Sequence, residues 1–402
     1  MRPTSRIDID LTALDDNLAA WRASLGNAVA VCPVVKADAY GLGAVPVTRR
    51  LVQKGVDTVA VYSAEQAAEV ADAIGTAQIL VLMPFEGTDP PRPLRSLMSE
   101  GRIHLTVHSF DHLDQLDSLG RQLASPISVQ IELDTGLCRG GMDIDQARKT
   151  IESLSLRKWV KLTGMFSHAA CPDTDAHQTL GQLRRLETLY SEYAERFDRD
   201  FRLHFAGTIA ALRGRRFHQS MVRLGRGLYG YGLEEPFDTP GLEPVPELRP
   251  ALRWVSRVVH VKEVPSGTPI GYHGSFVTGR TTRIGLVPVG HADGYPQALG
   301  NKGVLRAGPA LRHTSVIGEI NMDQLLIDLT DIPHAANGLE VELIANEANA
   351  PNSLPRIAGA AGTSVYELMC RISPRIPRRY LHGQSTGITV PSSVSAARIV
   401  GV

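Results

Sequence analysis

Cysteine, net charge and long apolar runs are all scarce in this chain, and each shortage excludes something. The four cysteines, Cys32, Cys138, Cys171 and Cys370, form no CxxC pair and keep no histidine spacing that would make a zinc site. They read as reduced, mostly buried thiols of a cytoplasmic protein, not as a disulfide framework. Lys plus Arg, at 42, balances Asp plus Glu, also 42, so no global field draws the protein to nucleic acid or to an anionic membrane. No apolar run approaches the roughly 18 residues of a membrane span, and the acidic N-terminus MRPTSRIDIDLTALDDN is no signal peptide. What is present is 402 residues, 43% of them hydrophobic, which is enough for two domains and points to small-molecule chemistry.

From residue 28 to about 230, short β-branched runs alternate with longer helical patterns. The strand candidates are 28–37, 58–62, 77–83, 103–108, 127–134, 161–167, 201–206 and 221–224. Ser63 with Gln66 forms a capping box before a helix that stops at Gly75, and Leu180, Leu183, Leu186, Leu189 and Tyr193 recur at helical spacing. Continuous apolar strands alternating with helices imply a parallel sheet covered on both faces, and eight units imply closure into a (β/α)8 TIM barrel. An open doubly wound sheet is the alternative, but no GxGxxG follows the first strand. Pro236, Pro240, Pro244, Pro246 and Pro250 then break the periodicity as a linker. Short alternating strands beyond it predict a mainly β C-terminal domain. The expected organisation is a barrel over 1–240, a β-rich domain over 241–385 and a loosely ordered tail over 386–402.

A barrel places its site at the C-terminal ends of its strands, so the residues after each run are the ones that matter. The segment PVVKADAYGLG brings an amine, Lys36, to the rim of the core after strand one. Asp134, Thr135 and Arg139 follow strand five, His168 strand six and Thr208 strand seven, while Arg223, Gly225 and Arg226 close the set. The Thr208 hydroxyl and the amides around 225-GRG-227, with Arg226 adding charge, suit a phosphate. A lysine facing a phosphate cradle suggests pyridoxal phosphate held as a Schiff base. Singly, each residue also has a plainer reading: a solvated strand end, a turn glycine, a structural histidine. Their convergence on one barrel mouth favours chemistry.

The segment VVKADAYGLG resembles the cofactor-lysine signature of the alanine racemase family. The resemblance continues in order through LDTGLCRGG (133–141), FSHAA (166–170), VRLGRGLYGY (222–231), IGYHGSF (270–276), VGHADGYP (289–296), GEINMDQ (318–324) and GTSVYE (362–367). It implies a barrel plus a β domain, assembled as a homodimer whose active sites are shared between subunits. It further implies that Lys36 is the cofactor lysine and the base on the D-enantiomer, with the partner's Tyr272 as base on L-alanine. Tyrosine has an ordinary pKa near 10, so it needs positive charge nearby, and His168 and Arg223 are the expected sources. Arg223 would also face the pyridine nitrogen, Arg139 would bind the substrate or support the cofactor phenolate, Met322 would lie by the substrate carboxylate, and Tyr40 and Tyr366 would approach the phosphate. Glu132, His291 and Asp323 would support the site.

Three positions depart from the family pattern. The family usually carries a lysine, often carbamylated, where this chain has Glu132; the glutamate is expected either to pair with Arg139 directly or to be a solvent-facing rim carboxylate. The usual Asn-Ser after strand seven is Gly207-Thr208, and a usual tyrosine is His291. The leading expectation is racemisation of alanine, with serine or another small amino acid as the alternative substrate. A decarboxylase of this fold is disfavoured by Arg223, and a non-catalytic cofactor carrier by the second domain.

Overall fold

The computed structural model describes residues 3–232, 241–382 and 388–390. After a first strand, β1 (Arg6–Asp10), come eight strands: β2 (Ala30–Pro33), β3 (Thr58–Val61), β4 (Gln78–Val81), β5 (Ile103–Val107), β6 (Ile127–Glu132), β7 (Val160–Phe166), β8 (Arg202–His204) and β9 (Met221–Leu224). Each overlaps one of the eight segments expected to be strands. They form one parallel sheet in the order β2-β9-β8-β7-β6-β5-β4-β3, and a parallel bridge between Val34 and Ala60 brings the two edges together. Every residue of β5 and β6 is buried, as expected of strands with helices on one face and a filled interior on the other.

Local sequence sets the helix starts. The Ser63 hydroxyl accepts from the Gln66 amide, while the Gln66 side chain accepts from the Tyr62 amide at 2.9 Å. The helix Ala64–Val70 then tightens into a 3-10 turn, and the chain turns at Gly75, whose φ is 50°. In the helix Ala176–Tyr193, Leu183, Leu186, Leu189 and Tyr193 are buried as their spacing predicts.

The chain divides into two compact units. One, residues 15–39 and 43–248, contains the barrel; the other gathers residues 1–14, 40–42 and 249–402. In the second unit β1 runs antiparallel to Leu252–Arg257 and parallel to Arg378–Leu381, inside a seven-stranded sheet. The sequence alone does not predict that use of the N-terminus, because nothing local announces a partner more than two hundred residues away. The sheet buries charge in pairs: Asp8, 2% exposed, accepts two hydrogen bonds from Arg379, and Glu342 accepts from Arg253 and Arg306.

Of the cysteines, only Cys32 is buried; Cys138 and Cys370 are exposed and Cys171 is intermediate, and none is in a disulfide. The expectation of mostly buried thiols is corrected, since three of the four stand on loops or helix surfaces and not in strands. Burial pushes the Cys32 thiol up to about 12, leaving it inert. Among the described residues no helix is long and apolar enough to cross a membrane. Pro236 and Pro240, and the expected tail apart from 388–390, lie outside the described residues.

Candidate active site

The amine of Lys36 leaves the barrel directly after two buried valines, Val34 and Val35, and stands 6.0 Å from the centre of the Tyr62 ring. The next residues do not form an ordinary loop. Ala37, Asp38, Ala39 and Tyr40 have φ of 52°, 55°, 52° and 58°, so the chain makes a left-handed helical turn ending at Gly41, φ 82°. For residues with a Cβ this conformation costs on the order of 1–2 kcal/mol each. Local bonds offset it: the Asp38 carboxylate accepts from the Ala44 amide at 2.7 Å, and the Asp38 carbonyl accepts from Gly43 at 2.8 Å. In the second unit, Arg378 and Tyr380 donate to the Gly41 and Leu42 carbonyls at 3.1 and 3.0 Å, and the Tyr40 and Tyr366 rings lie 5.9 Å apart.

Arg223 lies on β9, the strand paired with β2 just before Lys36, and is buried. Its guanidinium donates to the carbonyls of Ser167 and Phe205 at 2.7 and 3.1 Å, to His168 Nδ1 at 3.1 Å and to His204 Nδ1 at 2.5 Å. Burial draws its pKa down to about 10, which leaves it charged at neutral pH. Because arginine only donates, both imidazoles must accept through Nδ1. His204 Nε2 therefore donates to Gln130 Oε1 at 2.7 Å, and Gln130 Nε2 donates onward to His104 Nδ1 at 3.2 Å. A directed hydrogen-bond chain thus crosses the barrel interior from β9 through β8 and β6 to β5. None of His204, Gln130 or His104 was selected from sequence; the signal that could have found them is a polar residue inside an otherwise apolar strand.

Burial, and after it the Arg223 charge, drives the His168 pKa down to about 3, and His204 falls well below the ordinary imidazole value for the same two reasons. His168 is thus neutral. The expectation that it supplies positive charge to a tyrosine base is corrected, and Arg223 alone of the two carries charge.

The anion cradle forms after β8 and β9. Thr208 is buried, and its hydroxyl accepts from the Gly227 amide at 3.3 Å. Trp21 and Asn17, from the helix Leu11–Leu25, donate to the carbonyls of Gly227 and Leu228 at 3.1 and 3.0 Å. Gly225 and the buried Arg226 belong to the same turn, within which the Leu228 amide donates to the Gly225 carbonyl at 2.9 Å. A Cβ at Gly227 would stand 2.7 Å from Thr208 Cγ2 and 2.8 Å from Trp21. Gly227→Ala should therefore weaken retention of a bound phosphate group by about ten- to a hundredfold, as overpacking of about 1–3 kcal/mol implies; dialysis against buffer, then phosphate or cofactor titration, measures it.

Glu132 is 6% exposed, and its Oε2 lies 3.1 Å from His108 Nδ1. Both expectations for it are corrected: among the described residues it makes no ion pair with Arg139, which is exposed on the loop after β6, and it is not a rim carboxylate. Its place at the end of β6 turns it inward, onto the residue that ends the neighbouring strand β5.

The remaining expected residues lie in the second unit. Tyr272 and Met322 are 65% and 61% exposed. His291 and Ala292 donate backbone bonds to the Asn321 and Met322 carbonyls at 3.0 and 2.9 Å, so two loops are fastened together. Arg375 bridges Asp293 and Asp323 at 2.7 and 2.6 Å. His291 lines a cavity of about 520 Å³ with Tyr295, Gln297, Thr363 and Arg371.

A closed parallel barrel with a strand-end lysine, a buried guanidinium and a glycine-lined anion cradle defines the class: a (β/α)8-barrel enzyme built to hold an anionic cofactor beside an amine. Residues 9–232 match the model of the alanine racemase N-terminal domain and 251–380 that of the C-terminal domain. The chain is 33% identical to alanine racemase 1 of Caldanaerobacter subterraneus over 95% of its own length and 96% of that protein's. Its fold is similar to alanine racemase from D-cycloserine-producing Streptomyces lavendulae (TM-score 0.83, 30% identity, 95% of this chain and 98% of that one). It is likewise similar to alanine racemase from Bartonella henselae with covalently bound pyridoxal phosphate (TM-score 0.78, 25% identity, 94% and 100%). This protein belongs to the alanine racemase family, whose members use pyridoxal phosphate.

The residues present fit that cofactor. The Arg223 guanidinium donates to neutral acceptors, and among the described residues no carboxylate lies within ion-pair distance of it, so an anionic or lone-pair-bearing group would suit its buried charge. The close approach at Gly227 leaves no room for a side chain where the turns after β8 and β9 meet.

Proposed function

We propose that this chain interconverts L-alanine and D-alanine with pyridoxal phosphate, as a homodimer whose active sites are shared. The observation that carries the reading is Lys36, followed by a left-handed turn at the mouth of a barrel that also holds buried, charged Arg223. Lys36, Thr208, Gly225, Arg226 and Arg223 would hold the cofactor, with Tyr40 and Tyr366 near its phosphate and His168 beside Arg223. When bound, the cofactor withdraws electrons from the substrate and acidifies its α-hydrogen.

The protein's own residues then account for racemisation. A proton must leave one face of the substrate α-carbon and return on the other, and one fixed side chain cannot reach both. Lys36 serves one face and the partner's Tyr272 the other, which suits a phenol left 65% exposed within a single protomer. Arg223 keeps its proton at neutral pH, so it would offer a donor to the cofactor ring without protonating it. That restrains competing chemistry. Arg139, with the partner's Met322, would meet the substrate carboxylate, and the partner's His291 and Asp323 would shape access. The test is solvent deuterium uptake at the α-carbon across a panel of L-amino acids, with chiral chromatography of the products. Racemic alanine with one deuterium is the expected result, and faster turnover of serine would overturn the substrate assignment.

A further inference from the structure

The loop 134–141 carries Arg139 away from the end of β6, and its base is closed by backbone: Met142 donates to the Glu132 carbonyl at 3.0 Å and Asp134 donates to the Met142 carbonyl at 2.9 Å. Inside the loop, the Asp134 carboxylate accepts the Gly136, Leu137 and Cys138 amides at 2.9, 3.1 and 3.1 Å. The stretch just after Arg139 rests on one side chain, His108. The Gly141 amide donates to His108 Nδ1 at 3.0 Å, and a Cβ at Gly140 would come 3.2 Å from Glu132 Oε2 and 3.4 Å from His108 Nδ1. His108 Nε2 meets the Leu82 carbonyl at 3.2 Å, which fixes the ring on the far side. Glu132 Oε2 meets the same Nδ1 at 3.1 Å. The two glycines after Arg139 are therefore what lets the loop settle onto the Glu132 and His108 pair.

We propose that His108, seated against Glu132, is a positioning residue for Arg139: its imidazole ties the end of β6 to the Gly141 amide and so sets where the loop presents the guanidinium. The inference rests on the reading of Arg139 as a substrate-binding group. A ring nitrogen has one lone pair or one proton, so the Gly141 amide and a proton-sharing contact with Glu132 compete for Nδ1. Loop position is thereby coupled to a buried carboxyl without any contact between Glu132 and Arg139. A side chain that holds a loop this way governs substrate affinity more than the chemical step.

The experiment uses the holoenzyme of His108→Leu, which fills the volume without the hydrogen bond, with His108→Ala as the second variant should leucine not be accommodated. In either variant KM for alanine should rise about tenfold while kcat stays within about threefold. Hydrogen exchange of the loop amides, Gly141 above all, should accelerate. His108→Asn, whose amide oxygen can take the Gly141 bond, should recover most of the loss. In an Arg139→Ala background the His108 substitution should add nothing further. Additive losses, or a fall in kcat with KM unchanged, would overturn the inference while leaving Arg139 in its role. An Arg139→Ala variant with unaltered KM would remove the Arg139 assignment itself, and this inference with it.

Discussion

Tyr272→Phe will slow alanine racemisation by about 10²- to 10⁴-fold in both directions, the usual contribution of a general acid or base, while D-alanine keeps exchanging its α-hydrogen with solvent. The equality of the two directions is thermodynamic: enantiomers have equal free energies, so kcat/KM cannot fall one way and not the other. Exchange is different, because it requires one base only. Lys36 can remove and return a proton on its own face without inversion, so the D-enantiomer should take up deuterium and remain D. The L-enantiomer, whose hydrogen faces the missing phenol, should not. Tyr272 is 65% exposed in the protomer, so losing the hydroxyl should leave the fold unchanged within about 0.5 kcal/mol. On the proposed reading, Arg223, charged at neutral pH, would be the source of positive potential that a phenol base needs, because His168 is neutral. Proton NMR in deuterium oxide, with chiral analysis of the same samples, reads both quantities. Loss of exchange from both enantiomers alike, or undiminished racemisation, would refute the assignment.

The barrel was legible because its information is local. Each of the eight strands is a short apolar run that can be marked without knowing its neighbours, and Lys36 follows shortly after the first of them. The positions of Thr208 and 225-GRG-227 were legible for the same reason, since they sit where a barrel's last loops must be. What escaped was every feature whose partner is distant in sequence. Glu132 was read against Arg139, seven positions on, whereas its contact is His108 at the end of the neighbouring strand. The chain from Arg223 to His104 joins β9, β8, β6 and β5, and its members look like ordinary polar residues until the sheet is closed. The left-handed turn after Lys36 was hidden differently: Ala, Asp, Ala and Tyr carry no strong propensity for positive φ, so tertiary bonds and not sequence preference hold them there. Burial of Cys138 and Cys370 was over-predicted because residue type alone says thiols go inside, and neither lies in a strand.

The same buried hydrogen-bond chain makes the fold acid-sensitive through two of its rings, acting in the same direction as the neutral His168. Burial is the main cause that pulls His104 down to about 4 and His204 well below its ordinary value, and neighbouring arginines act in the same direction. In the unfolded chain both titrate near 6.5, so below that pH the unfolded state binds more protons than the folded one. Stability from these groups is therefore complete above pH 6.5 and declines as pH falls toward the folded values. The slope is about 1.4 kcal/mol per pH unit for a ring that stays neutral in the folded protein, so His104 alone should have removed about 2 kcal/mol by pH 5, with His204 acting in the same direction. That is a large fraction of the roughly 5–15 kcal/mol typical of a folded protein. Protonating His204 would also set an imidazolium against the Arg223 guanidinium at 2.5 Å, so cofactor release should accompany the loss of stability. Urea unfolding at pH 8, 6.5 and 5 measures the slope, and cofactor absorbance in the same samples reports the site. His104→Gln removes one titrating ring and should lower the slope by about 1.4 kcal/mol per unit, even if it costs stability at pH 8. A flat profile between pH 7 and 5, or an unchanged slope in that variant, would show that these rings are not the acid-sensitive element.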